Sequence, residues 1–399
     1  MRQSKPSDIN LSLPSPDSEA KFHSQKLSRY IKKLIDEKGG SIGFDEYMNL
    51  ALYQPGLGYY SSGNQKFGAK GDFVTAPQIS TLFSKCLASQ CTQILEDFED
   101  PSILEIGAGT GVMARDLLLD LEKSNSLPEK YLILEISADL KLRQQNLLKQ
   151  SIPQYIDNII WLDSLPKKKF NGLIIANEVL DALPVKRFKK ESNIFKEIKV
   201  TFIDNNFHWV EITACDELTN FLEKIENKLP KRFLEDYYSE ININLKMWLD
   251  SVQSVIDKGV ILFIDYGYSM SDYYHPEKFD GNLLCHYRHY AHNDPFFYPG
   301  LQDITASVDF TSVAEYAEEI GLNVNGYTNQ TYFLFGCSLE NLIPNMDLLD
   351  IKSQTKISQE LRTLIMPDQM GERFKFMALT KEYNENLLGF SKMNQKNQL

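Results

Sequence analysis

Two carboxylates three residues apart, Glu178 and Asp181 in the run Asn177-Glu178-Val179-Leu180-Asp181-Ala182-Leu183-Pro184, are the pair best suited to chemistry. If a helical turn starts there they share one face. Together they can grip a guanidinium through two-pronged hydrogen bonds. The plainer use of such a pair is N-capping and surface charge. A second set is formed by Glu105, Glu135 and Asp163, each at or near the end of a short β-rich run. Glu105 stands in Leu104-Glu105-Ile106-Gly107-Ala108-Gly109-Thr110-Gly111, which reads as a strand passing through a glycine-rich turn into a helix from Val112 to Leu121. Gly107, Ala108, Gly109 and Gly111 let main chain approach a nucleotide-like ligand, and the helix start favours an anion. Glu135 follows at the end of the next strand, where an acid can accept both hydroxyls of an adenosine ribose. Asp163, at the end of the third, is placed to approach an adenine amino group; Asp-Ser-Leu-Pro is also a good turn. A nicotinamide dinucleotide turn would read G-x-G-x-x-G, but residue 112 is Val, which weakens that alternative.

These acids need a common platform, and the apolar pattern supplies one. Runs at Ile103-Ile106, Tyr131-Ile136, Ile159-Leu162, Leu173-Ala176 and Val260-Ile264 alternate with helical stretches, as in a parallel sheet covered on both faces. Ligands in such sheets bind beyond the carboxyl ends of the strands. Two later runs, Thr331-Cys337 and Phe374-Leu379, are expected to close the sheet as an antiparallel pair, giving seven strands. Before the sheet, Phe22 to Lys38 shows helical spacing ending at Gly39-Gly40, and a short helix is expected over Phe44 to Leu52. The resulting division is a flexible tail (1–20), an N-terminal helical extension with a glycine and aromatic-rich loop (21–100), an α/β core (101–184 and 259–399) and an inserted subdomain (185–258). That insertion holds a hairpin, Phe195-Ile203 and His208-Thr213. A further loop insertion, 268–310, shows little periodicity, and loops that long usually serve function.

Composition sets the outer limits. The chain has 399 residues, 43% hydrophobic and 24% charged, enough apolar surface for a large core. Its formal net charge of −12 argues against tracking nucleic-acid phosphates and favours a protein or small-molecule substrate. Five scattered cysteines, without C-x-x-C spacing, suggest neither disulfides nor a zinc site, and no other metal is expected. No apolar run approaches bilayer length. The first residues mix Asp and Glu with Ser and Pro, unlike a secretory or mitochondrial leader, so the expected location is cytoplasmic. Apolar patches in the insertions leave room for a homodimer.

The segments named so far do not stand alone. Leu52-Tyr53-Gln54-Pro55-Gly56-Leu57-Gly58-Tyr59-Tyr60, Lys66-Phe67-Gly68-Ala69-Lys70-Gly71-Asp72-Phe73, Leu104 to Gly111, Asn177 to Ala182, Ile264-Asp265-Tyr266-Gly267, Cys285-His286-Tyr287-Arg288 and Pro299 to Thr305 follow one another in order. With them the chain resembles the MidA-like family of class I methyltransferases over nearly its whole length, from about Ser41 to Thr380. The resemblance implies a Rossmann-like α/β fold, S-adenosylmethionine as cofactor, and an N-terminal extension folded over the cofactor site. Gly71, Asp72 and Phe73 would then lie beside that cofactor, together with Asn177. It also implies that Asp265, Tyr266, His286, Tyr287 and Arg288 border a substrate cleft. Since the family includes a mitochondrial protein arginine methyltransferase that supports respiratory complex I assembly, it implies methylation of a protein arginine, on a respiratory-complex subunit. Glu178 would then orient the guanidinium and accept a proton, with Asp181 in support. Other readings are a non-catalytic assembly factor that binds the cofactor only structurally, and a small-molecule methyltransferase.

Overall fold

A computed structural model describes residues 13–62 and 75–399. Helix α1 (Ser18–Glu37) begins four residues before the expected Phe22, because the Asp17 side chain accepts from the Ala20 amide and caps its first turn. The end of the stretch expected as a tail is therefore helical, while residues 1–12 lie outside the described residues. Helix α2 (Phe44–Tyr53) follows, with Phe44, Tyr47, Met48, Leu50, Ala51 and Leu52 buried.

The centre is a sheet of β1 (Ser102–Ile106), β2 (Lys130–Leu134), β3 (Ile159–Leu162), β4 (Phe170–Asn177), β5 (Ile256–Tyr268), β6 (Asn323–Asn329) and β7 (Phe374–Lys381). Their spatial order is β6-β7-β5-β4-β1-β2-β3, and the two-residue strand Val308–Asp309 pairs with the end of β5. All neighbours are parallel except β7, which runs antiparallel to both β5 and β6. Alternation sorts the side chains. Ile103, Ile133, Ile175 and Leu262 pack on one face beneath α3 (Thr81–Leu95) and α4 (Val112–Lys123). Leu104, Leu132, Ile174 and Phe263 pack on the other with α5 (Leu245–Gln253) and α6 (Phe310–Glu319). Each such fully buried aliphatic or aromatic side chain contributes about 1.5–3 kcal/mol, so both faces are needed to hold the sheet.

One expected strand is a helix. Of Thr331–Cys337, all but the C-cap Cys337 falls in α7 (Gln330–Gly336), and the antiparallel partner of β7 is β6, just before it. Asn329 accepts from the Tyr332 amide and starts the helix. Phe333, Leu334 and Cys337 then point into the core, with Phe333 stacked on Phe376 at 3.8 Å. Seven residues are too few for spacing alone to separate helix from strand.

The insertion after β4 forms an antiparallel sheet from Lys186–Glu191, Ile194–Ile203, Asn206–Thr213 and Tyr237–Ile241. The hairpin turns at Asp204 and Asn205, both left-handed, as a two-residue turn requires. The N-terminal extension completes this sheet: Ile42 pairs with Val200. The last helix of the insertion, α5, leaves it to cover the central sheet, with Trp248 5.9 Å from Phe263. Within 268–310, where the sequence shows little periodicity, Leu283–Tyr287 forms the middle of a three-stranded sheet with Tyr290–His292 and Asp303–Ala306. Leu27, Tyr47, Val200, Phe207, Cys285 and Ile304 share one buried cluster, so extension, insertion and loop make a single cap.

Candidate active site

A cavity of about 930 Å³ opens beyond the carboxyl ends of β1, β2, β4 and β5, between the sheet and the cap. At one end lies the glycine turn. Gly107, Gly109 and Gly111 all have positive φ, and Gly111 is the left-handed N-cap of α4. A Cβ on Gly107 would stand 3.3 Å from Val179, and one on Gly111 would stand 3.3 Å from Gln144. Bare backbone is therefore what shapes this end.

Glu135 follows β2 and is buried. Its Oε1 accepts from the Ser137 amide at 2.9 Å, and its Oε2 accepts from Gln144 Nε2 at 2.9 Å. The same Gln144 nitrogen donates to the Gly109 carbonyl at 2.9 Å, while its oxygen accepts from Trp161 Nε1. Gln144, on the helix Ala138–Ser151, thus ties the glycine turn to the acid; sequence reading passed over it because a mid-helix Gln carries no local signal. Glu105 is entirely buried within β1 and accepts from Tyr131 Oη at 2.7 Å; burial pushes its carboxyl up to about 7.

Asp163 is placed elsewhere. Its exposed carboxylate pairs with Lys141 at 2.8 Å and is absent from the cavity wall, because the chain turns outward after β3. Gly71, Asp72 and Phe73 lie outside the described residues.

The cavity wall also includes Asn177, Glu178, Asp181 and Tyr266. The expected helical turn does not form over Asn177–Pro184. Glu178 instead adopts a left-handed backbone, φ 53°, with its amide donating to the Ile264 carbonyl at 2.8 Å. Both carboxylates still reach the same cavity. Burial, then the neighbouring Asp181, pushes Glu178 up to about 8, and burial pushes Asp181 up to about 6. Neither forms an ion pair among the described residues, and Asp181 Oδ1 is buried without a hydrogen-bond partner. Asn177 donates to Glu178 Oε1 at 3.3 Å.

Asp265, expected at the substrate cleft, lies behind it. It is fully buried and accepts main-chain amides from the loop that carries Glu178. Of the later segment, His286 lines the cavity with its pKa lowered by burial. Tyr287 is buried on the opposite side of the same strand, as alternation dictates, and Arg288 stands at an exposed left-handed turn position outside the cavity wall. The cap adds residues not singled out one by one in the sequence: Tyr53, whose hydroxyl donates to the Ala182 carbonyl, Tyr60 and Asp303. Their signal was the aromatic and glycine-rich character of residues 53–60.

A family model described as "Putative S-adenosyl-L-methionine-dependent methyltransferase" matches residues 86–328. The chain belongs to this methyltransferase family. A Burkholderia thailandensis protein solved with S-adenosyl-homocysteine bound is 35% identical, superposes with a TM-score of 0.90, and is matched over 97% of this chain and 100% of its own. Among curated proteins, the chain is similar to the mitochondrial protein arginine methyltransferase NDUFAF7 of Danio rerio, 26% identical over 89% of this chain and 88% of that protein. The mitochondrial homologue from Drosophila melanogaster is 27% identical over 92% and 87%. The chain is therefore an S-adenosylmethionine-dependent methyltransferase with the class I fold. The expected cytoplasmic location does not stand, because these curated relatives are named mitochondrial. Among the described residues, no helix is long and apolar enough to cross a membrane.

Proposed function

We propose that this methyltransferase modifies a protein arginine side chain, with Glu178 and Asp181 as the carboxylates that hold the guanidinium. One observation carries the reading: two carboxyls with no cationic partner among the described residues, one with an orphaned buried oxygen, share the wall of the cavity that the glycine turn also lines. Buried charge without a partner is costly, and a planar cation offering parallel N–H donors satisfies it. The arginine methyltransferase names of the curated relatives support the same acceptor.

The residues at the inner end fit the methyl donor. Main chain at Gly107, Ala108 and Gly109 admits its close approach, Glu135 offers carboxylate oxygens to ribose hydroxyls, and exposed Ile136 offers an apolar face to a base. S-adenosylmethionine supplies an electrophilic methyl group on sulfur. The chain's own contribution is positioning and charge. A guanidinium stays protonated in water, so Glu178 draws positive charge to one nitrogen and accepts the proton released as the new N–C bond forms. A carboxyl raised to about 8 is suited to holding that proton near neutral pH, and the incoming cation itself favours the ionised form. Asp181 shares the cation, and Tyr53, Tyr60 and Tyr266 exclude water around it.

The test is incubation with methyl-labelled S-adenosylmethionine and a lysate lacking the enzyme, followed by mass spectrometry. Labelled arginine in a protein is the expected result; label confined to small metabolites defeats the reading.

A further inference from the structure

We infer that Asp265 is a positioning residue for methyl transfer, acting through Glu178 by fixing the loop on which that carboxylate stands. Asp265 Oδ2 accepts the amides of three successive residues, Val179 at 3.2 Å, Leu180 at 2.9 Å and Asp181 at 3.2 Å. Its Oδ1 accepts the Tyr266 amide at 2.9 Å. Four main-chain donors thus converge on one side chain that is 0% exposed and takes no part in the cavity wall.

What this clamp holds is strained. A glutamate in the left-handed region is disfavoured by contact between its Cβ and the main chain, and such a conformation persists only where its surroundings over-determine it. Here the determinants lie on both sides of Glu178. Its own amide is bonded to the Ile264 carbonyl, and the three amides that follow are gathered by Asp265, the next residue along β5. One strand end therefore grips the loop before and after the reacting carboxylate. Without the Asp265 carboxylate, three amides, two of them buried, lose their acceptor and the loop has no reason to keep its bend.

The chemistry of the residue also argues for this role. Burial, Asp181 and Glu178 all push the Asp265 carboxyl up, so an acid here stands among like charges. A residue kept at that cost, yet out of reach of any ligand in the cavity, acts through geometry. The inference requires methyl transfer as the reaction but not arginine as the acceptor.

The experiment compares Asp265→Ala and Asp265→Asn in the full chain, alone and combined with Glu178→Gln. Methyl transfer is measured on whichever acceptor the wild type labels, and S-adenosyl-homocysteine binding is measured by calorimetry. In the Ala variant kcat should fall about 100-fold, as expected for loss of a preorganised polar group, with acceptor KM changing far less. Asparagine retains one acceptor oxygen and should restore about tenfold of that loss. In the Glu178→Gln background the Ala substitution should cost little more, because residues acting as a unit are not additive. S-adenosyl-homocysteine affinity should stay within about threefold throughout, since the hydrogen bonds of Asp265 go to Val179, Leu180, Asp181 and Tyr266, while Glu135 is held by Ser137 and Gln144. Unchanged kcat, fully additive losses, or loss of S-adenosyl-homocysteine binding in both Asp265 variants would each overturn the inference. An acceptor other than arginine would sink the preceding proposal and leave this one standing.

Discussion

Tyr60 Oη lies 3.0 Å from both carboxylate oxygens of Asp303, joining the N-terminal extension to the strand Asp303–Ala306 at the cavity wall. Burial, then Asp303, raises the Tyr60 pKa, so the hydroxyl keeps its proton and donates it to this bond. Tyr60→Phe removes the donor while keeping the ring that stacks on Tyr53. We expect kcat/KM for the acceptor to fall about tenfold, the size of one lost buried hydrogen bond to a charged group, with S-adenosyl-homocysteine affinity unchanged by calorimetry.

Glu178→Gln keeps the shape of the side chain but cannot take a proton. Its kcat should fall by about 10²–10⁴, while titration calorimetry still shows cofactor-product binding close to wild type. A variant with normal kcat would remove Glu178 from the reaction.

The elevated pKa of Glu178 gives that residue two pH effects of opposite sense. Activity needs the ionised form, so the rate of the free enzyme should rise with pH until about 8. Stability runs the other way. The folded chain holds this proton more tightly than the unfolded one, so the contribution is present in full at low pH and is lost as pH rises from the ordinary carboxyl value through about 8. Scanning calorimetry should therefore show Glu178→Gln melting above wild type at pH 8, with the difference shrinking toward pH 5.

Gln144→Leu deletes the donor shared by Glu135 and Gly109 and the acceptor for Trp161. Weaker S-adenosyl-homocysteine binding, by about 10- to 100-fold, should follow from leaving these groups unpaired, together with a change in tryptophan fluorescence. The acceptor's KM should move little.

Gly107→Ala tests the bare turn itself. The new Cβ would meet Val179 at 3.3 Å on a left-handed backbone, a strain of about 1–2 kcal/mol. A clear loss of cofactor-product affinity with little loss of helical circular dichroism is the expected pattern.

The parallel part of the sheet was legible because strands buried on both faces read as apolar runs, and Ile103-Ile106 and Val260-Ile264 leave little else to be. The glycine turn was legible because residues 107, 109 and 111 need conformations that other residues resist. What failed was local in sequence but decided at long range. Thr331–Cys337 resembles a strand until Phe333 finds Phe376, and Asp163 resembles a ligand until the chain turns outward to Lys141. Asp265 was expected at the border of the substrate cleft, yet it lies behind the cavity wall, and its three amide partners are more than 80 residues away in the chain. No spacing rule reveals such a partnership. The three-stranded sheet in 268–310 was hidden for a related reason, since its strands are short and joined through residues that look like loop.

The pairing of Ile42 with Val200 sets an order of assembly. An edge formed near the start of the chain has no partner until some 160 further residues have been made, and Tyr47 donates to the carbonyl of Pro295, later still. During synthesis the opening segment must wait, its apolar side chains uncovered, while the first strands of the central sheet emerge behind it. Chaperone dependence in the newborn chain should accordingly concentrate in residues 18–53 and end once the segment around Pro295 has left the ribosome.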